Sequence, residues 1–287
     1  MIATFDLGGT DIKYGIIDYN ETLIYQKTIP STANQGGKKL LDSVISLIYD
    51  LGSLYEITGI AISSAGVINP NTGKVLSSTE AIPEYTGINV IDYIESKTHI
   101  TTSVINDVKA AALSEARYID KKNILMLTIG TGIGGAILFD NQLYHGHHYS
   151  AGEWGHMYIA GKHFEKLASM SALLHEAKEK HIDVSTGADL FKLYDQDHLI
   201  ARSVVQNFYH YLSMGIANLV YSFNPEVIII GGGVSNRGQR MIEELKQALH
   251  SHLPKFYIDS VDIALAKNLN NAGMIGAYIH YKNKNSS

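Results

Sequence analysis

The stretch FDLGGTDIKYGII (residues 5–17) reads as a strand, a glycine turn carrying a threonine, and a second strand. Short apolar runs flank Gly8-Gly9, where a tight turn needs glycine. The pattern returns as ILMLTIGTGIGGAILF (124–139). Two copies about 120 residues apart are a weak internal repeat, and they predict two similarly built domains facing each other.

Working outward, strands are expected over residues 2–7, 12–17, 22–29, 58–63 and 103–105, then 124–129, 136–139, 226–230 and 261–265. Residues 38–51 carry Leu40, Leu41, Val44, Ile45 and Ile48 at helical spacing. Further helices are expected over 108–118 (rich in alanine), 166–181, 199–222, 239–250 and 272–281. There is no long linker or low-complexity stretch, and only the closing KNKNSS looks frayed. The fold class is α/β. Its domains are expected at 1–107 plus the C-terminal helix 272–287, and at 108–271.

A chain of 287 residues with an ordinary apolar fraction can bury a sizeable core. The net charge of -5 argues against a nucleic-acid surface. The absence of cysteine excludes disulfides, thiolate nucleophiles and cysteine-ligated metals. MIATFDLGGT lacks a signal peptide's basic start, and no run approaches the ~20 apolar residues of a membrane span. A soluble, cytoplasmic protein is the expectation.

GTGIGG (130–135) fits G-x-G-x-x-G, but AILFD after it has strand character. A dinucleotide fingerprint opens a helix instead, so that reading is set aside, and no P-loop motif occurs. Glycine turns between strands also let backbone N–H groups approach a phosphate. Thr10 and Thr131 add hydroxyls. Two tight hairpins would favour the same glycines. The pair of turns, with GGGVS (231–235) after a third strand, favours phosphate binding.

DLGGTDIK (6–13), TIGTGIGGA (128–136) and FNPEVIIIGGGVS (223–235) resemble the two phosphate segments and the adenosine segment of actin-like sugar kinases. AGEWGHM (151–157) and IND (105–107) resemble, more closely, the family of repressors, open reading frames and kinases, the ROK family. The resemblance spans nearly the whole chain. It implies two actin-like (ribonuclease H-like) domains with a cleft between them. It also implies phosphorylation of a hexose or N-acetylhexosamine at the 6-hydroxyl by ATP with magnesium. The phosphate contacts it implies are Asp6, Gly8, Gly9, Thr10, Lys13, Gly130, Thr131, Gly132, Gly134, Gly232 and Gly233. Asp6 is expected to position magnesium through water, since magnesium keeps several waters. Lys13 reads equally as a solvated strand residue.

Asp107 sits where a buried strand gives way to a helix, where an aspartate commonly serves as N-cap. The resemblance makes it the base that takes the sugar proton and makes Asn106 a sugar ligand. Glu153, His156 and Glu165 are the further sugar contacts it implies, with Gly66 letting backbone approach the sugar. Carboxylates suit adjacent hydroxyls. Glu165 also suits the first turn of a helix.

Two departures stand out. The family's cysteine loop after the histidine is missing, so no zinc site is expected. Packing by Trp154, Tyr158 and Phe164 is expected to hold that loop, and His145, His147 and His148 to be solvated. ISSAGVIN (62–69) also has Ala65-Gly66 where the family has Pro-Gly. A repressor reading is set aside, because the first phosphate segment begins at residue six and the charge is wrong. A sugar-binding module without catalysis is disfavoured by the presence of Asp107 and both turns. N-acetylmannosamine is the first substrate expectation, from ISSAGV and the short loop, with glucose and a β-glucoside as alternatives. A homodimer is implied by the resemblance alone.

Overall fold

The structure, a computed structural model, describes residues 1–285; Ser286 and Ser287, the end of KNKNSS, lie outside the described residues. The chain forms two compact units. One holds Met1–Tyr118, His145–Ser150 and the chain from Asn270 on; the other holds Ile119–Tyr144 and Ala151–Leu269.

In the first unit the strands are β1 (Ile2–Leu7), β2 (Asp11–Ile17), β3 (Leu23–Pro30), β4 (Gly59–Ser64) and, after the small pair β5 (Val67–Ile68) and β6 (Val75–Ser77), β7 (Thr102–Asn106). The sheet order is β3-β2-β1-β4-β7, antiparallel across β1–β2–β3 and parallel across β1–β4–β7. Central β4 is buried along its whole length, as a parallel strand covered on both faces must be. Edge strand β3 is mostly exposed, with the polar residues Gln26, Lys27 and Thr28 at its centre.

Helix α1 (Gly37–Gly52) buries the stripe expected of it, Leu40, Leu41, Val44, Ile45 and Ile48. Helix α2 (Val90–Thr98), absent from the sequence expectation, is capped by Asn89, whose side chain accepts the Asp92 N–H. Helix α3 (Asp107–Ala116) packs on the C-terminal helix Ala272–Asn285, the residue contact being very close. A Cβ on Gly276 would overlap the carbonyl of Ala110. Backbone-to-backbone packing of this kind explains why α3 is rich in alanine and has no polar stripe. The last residues Lys282 to Asn285 are helical rather than frayed.

The second unit repeats the plan. Strands β8 (Ile124–Ile129), β9 (Ile133–Phe139), β10 (Gln142–Leu143), β13 (Val227–Gly231) and β14 (Asp262–Leu265) run in the order β10-β9-β8-β13-β14. The hairpin β8–β9 is antiparallel, and β8–β13–β14 is parallel. The two sheets match strand for strand. The intervening β11 (Tyr158–Ile159) and β12 (Lys162–His163) form a small hairpin. Helices α4 (Glu165–Ala168), α5 (Met170–Glu179), α6 (Gly187–Asp195), α7 (Leu199–Phe223), α8 (Gln239–Leu249) and α9 (Lys255–Ser260) follow, and the C-terminal helix is α10.

One helix expected over 166–181 is therefore two. Ser169 is extended, and its hydroxyl caps α5 by accepting the Ala172 N–H at 3.1 Å. The freed Met170 N–H donates to the Gly130 carbonyl at 2.9 Å, which ties α5 to the glycine turn. Helix α7 runs as expected and ends at Asn224, in the left-handed region at φ 42°. β9 starts three residues earlier than expected because Gly134 and Gly135 pair with Thr128 and Leu127 in the ladder.

Candidate active site

In the first unit the parallel strands end side by side. Leu7, Ser64 and Asn106 pair across β1, β4 and β7. The carboxyl ends of parallel strands are where open α/β sheets gather ligands. Asp6 stands one residue before the end of β1, and the Ser63 hydroxyl donates to it at 2.7 Å. Lys13, opposite Asp6 on β2, lies 3.8 Å away. Burial pushes the Asp6 carboxyl above the usual range, against the Ser63 hydrogen bond and the Lys13 charge. Gly273 of α10 sits so close to Asp6 that a Cβ there would lie 2.4 Å from its carboxyl carbon. Asp6 is the carboxylate at this strand end that would hold a cation through water, since magnesium asks for only one or two carboxylates.

At the end of β7 the expectation of an aspartate cap is corrected by one residue. Asn106 is the N-cap of α3, and its Oδ1 accepts the Lys109 N–H at 3.1 Å. Asp107 is the first helical residue, where the helix dipole favours a carboxylate. Its Oδ1 accepts from the Val108 N–H and from Asn106 Nδ2, both at 2.8 Å. Asn106 Nδ2 also donates to the Gly66 carbonyl at 3.0 Å. Gly66 is at φ 104°, and a Cβ there would lie 2.7 Å from the Ser77 carbonyl, so only glycine fits. Gly66, Asn106 and Asp107 thus form one hydrogen-bonded group. The turn Gly8-Gly9-Thr10 closes with the Gly8 N–H on the Asp11 carbonyl at 3.0 Å, leaving Gly9 and Thr10 exposed.

In the second unit the turn Gly130-Thr131-Gly132 joins β8 to β9. Gly130 and Thr131 line a cavity of about 710 Å³ together with Gly233. Gly232 has φ 82° and passes over the end of β8, where a Cβ would lie 2.5 Å from the Ile129 carbonyl. The other walls come from Thr186, Gly187 and Phe191 of α6 and its cap, and from Asn236 and Arg237 after the glycine run. A volume of this size suits a nucleotide. Sequence reading missed these walls, because neither α6 nor the turn after GGGVS carries a motif.

Glu165 starts α4 with its carboxylate between two glycines. A Cβ on Gly132 would lie 2.7 Å from its Oε2, and one on Gly155 3.0 Å. It therefore stands between the turn Gly130-Thr131-Gly132 and the loop that carries Glu153 and His156. Glu153 and His156 are exposed and lie on one short turn, with the His156 N–H donating to the Glu153 carbonyl at 3.3 Å. His163 Nδ1–H donates to the His156 carbonyl at 2.9 Å. Among the described residues no group of three or more His, Cys, Asp or Glu side chains gathers to hold a metal ion.

The loop is held by two of the three aromatics expected. Trp154 packs over Gly135, and Phe164 is fully buried against Gly215 of α7; in each case a Cβ on the glycine would strike the ring. Tyr158 is the correction: it is 72% exposed and meets only the edge of His163, at 4.8 Å. Its neighbour on β11, Ile159, is buried instead, in keeping with the alternation of side chains along a strand. A second correction concerns His145. His147 and His148 are exposed, but His145 is half-buried with its Nδ1 enclosed and unpartnered. Burial, aided by the Lys109 charge, lowers its pKa to about 4.

Fold and site together define a phosphotransferase of the actin-like sugar-kinase class. The chain belongs to the ROK family: residues 2–284 match the model of the ROK family. It is 31% identical to a β-glucoside kinase of Listeria monocytogenes, covering 98% of this chain and 97% of that one. It is 29% identical to a glucokinase of Halalkalibacterium halodurans over 94% and 92% of the two chains. Among solved structures it matches a Listeria monocytogenes protein provisionally assigned as an N-acetylmannosamine kinase, with a TM-score of 0.89, 30% identity and 99% of each chain covered. Among the described residues no helix is long and apolar enough to cross a membrane.

Proposed function

We propose that the protein transfers the γ-phosphoryl group of ATP to the 6-hydroxyl of a hexose or N-acetylhexosamine, with N-acetylmannosamine as the preferred acceptor. The observation that carries the reading is the Asn106–Asp107–Gly66 group. It sets a carboxylate at a helix N-terminus with one oxygen held by two donors, which fixes the orientation in which that carboxylate meets an acceptor hydroxyl. Asp107 removes the proton of the 6-hydroxyl as that oxygen forms its bond to phosphorus. The bond from phosphorus to the bridging oxygen breaks, ADP leaves, and the proton stays on the Asp107 carboxyl.

Within the first unit, Asn106 and the Gly66 backbone are the sugar contacts of this reading. Within the second unit, Glu153, His156 and Glu165 are its hydroxyl-reading residues. Gly8, Gly9, Thr10 and Lys13 are the phosphate contacts of this reading in the first unit; Gly130, Thr131 and Gly132 are those of the second, where Gly232 and Gly233 border the adenosine. Gly134 is a weaker candidate, since it pairs with Thr128 in the ladder. Magnesium, when bound near Asp6, supplies positive charge to the phosphates.

Support for the acceptor is divided. The Listeria structural relative favours N-acetylmannosamine, while the β-glucoside kinase relative favours a β-glucoside as the second reading. Coupled ADP release with ATP and magnesium, run across N-acetylmannosamine, glucose, N-acetylglucosamine, mannose, fructose and a β-glucoside, tests both. Preference for the β-glucoside would replace the first reading, and silence with every sugar would sink the kinase proposal.

A further inference from the structure

Arg237 lies in the short helical turn Gly233–Arg237 that follows the glycine run, and its side chain is 6% exposed. Its guanidinium makes four hydrogen bonds to two carboxylates. Nη2 and Nη1 donate to the two Asp195 oxygens at 2.8 and 3.3 Å, and Nε donates to Glu244 Oε2 at 2.6 Å. Nη2 also reaches Glu244 Oε1. One face lies over Phe191 at 4.5 Å and Tyr194 at 5.4 Å. Glu244 accepts in addition from the Tyr209 hydroxyl of α7 at 2.6 Å, and Arg240 pairs with Asp195 at 2.7 Å.

These partners come from separate elements: Phe191, Tyr194 and Asp195 from α6, Arg240 and Glu244 from α8, Tyr209 from α7. Phe191, Asp195, Arg237 and Arg240 also line the 710 Å³ cavity. Two arginines balance two carboxylates, so the clamp adds no net charge to the nucleotide site. A planar guanidinium that bonds on two edges and stacks on its face can fix the position of α6 relative to the glycine run.

We propose that Arg237 is a positioning residue for the nucleotide: it holds α6, and with it Thr186, Gly187 and Phe191, at the distance from Gly233 that fits the adenosine. The inference rests on the nucleotide reading of this cavity. Arg237 contributes to ATP affinity without touching the acceptor sugar or the base Asp107.

The test uses the full-length protein and its Arg237→Met and Glu244→Gln variants. Arg237→Met keeps the apolar stem and removes the charge and both forks. ATP binding is measured by calorimetry, and KM for ATP, KM for sugar and kcat by coupled ADP release. The expected result is a rise of about tenfold in Kd and KM for ATP, with sugar KM and saturated kcat within about threefold. Glu244→Gln is expected to move the same constants in the same direction by less, and it decides the matter if Arg237→Met does not fold. Unchanged ATP constants in a folded variant, while the wild type binds ATP, would overturn the clamp alone. Equal rises in ATP and sugar KM would also overturn it, since they mark general loosening. Failure of the wild type to bind ATP would overturn the nucleotide reading itself.

Discussion

Replacing Asn106 with alanine removes three bonds with one side chain, and the structure assigns a cost to each. The cap on the Lys109 N–H is worth about 1 kcal/mol. The Gly66 carbonyl loses its side-chain donor, a loss of about 1 kcal/mol for a neutral hydrogen bond in a partly buried place. The bond to Asp107 joins a charged group and is worth about 1.5 kcal/mol, discounted because Asp107 retains the Val108 N–H. These bonds share one residue and will not add fully, so a total of about 2–3 kcal/mol is expected. Asn106→Ser restores the cap but neither Nδ2 bond, so it should recover about 1 kcal/mol. Urea denaturation followed by far-UV circular dichroism gives both values, with the slope checked for constancy. Activity should fall in both variants, because Asp107 loses an orienting donor. A loss below about 0.5 kcal/mol in Asn106→Ala would refute the account of Asn106 as the organiser of this strand end.

Four further outcomes are expected. Asp107→Asn should lower kcat by about 10²–10⁴-fold while sugar binding by calorimetry stays within a few-fold; near-normal turnover would remove Asp107 as the base. Asp6→Asn should raise the melting temperature at pH 7 and abolish magnesium-dependent turnover. The sign follows from linkage: the folded Asp6 carboxyl titrates above its unfolded value, so the native state holds the proton longer and stability falls as pH rises through that window. An unchanged or lower melting temperature would contradict it. His145 and His280 both titrate near 4 when folded, lowered by burial, with the Lys109 charge beside His145 and the Lys284 and His145 charges beside His280. The unfolded chain then binds more protons between about 4 and 6.5, so stability should drop as pH falls through that range, and the His145→Asn, His280→Asn double variant should flatten the slope of a pH-melting series. Gly232→Ala should cost about 1–3 kcal/mol and weaken ATP binding, since φ 82° and the Ile129 carbonyl both oppose a Cβ; a stable variant with full ATP affinity would refute that.

The paired strand-turn-strand copies were legible because their signal is local. Alternating apolar residues and glycine at the turn demand a hairpin wherever the chain goes. Asp6, Asp107 and the glycine turns stand at strand ends that the pattern marks, while the roles expected of Asp6 and Asp107 came from the family resemblance. The α1 stripe was legible too, since its burial depends on period alone. Helix α6 escaped because GADLFKLYD is short and flanked by polar residues, with Thr186 its main start signal. The break at Ser169 escaped because the Met170 N–H it frees is taken up by the Gly130 carbonyl, far back in the chain.

What the sequence determined by itself is the material of each element: the hairpins, the apolar helix faces, the glycines that allow backbone to come close, and the carboxylates at strand ends. Tertiary structure decided which of these meet. The Asn106 cap and the bonds on Asp107 are local to residues 106–109, and the fold added the distant Gly66 carbonyl as a further partner of Asn106. Tyr158 was left in solvent while Phe164 found Gly215. Arg237 gained its role from Asp195 and Glu244, on helices that no local pattern connects. The physical reason is range. Propensity and periodicity act over a few residues, whereas a desolvated charge or a packed ring depends on partners brought near by the whole fold.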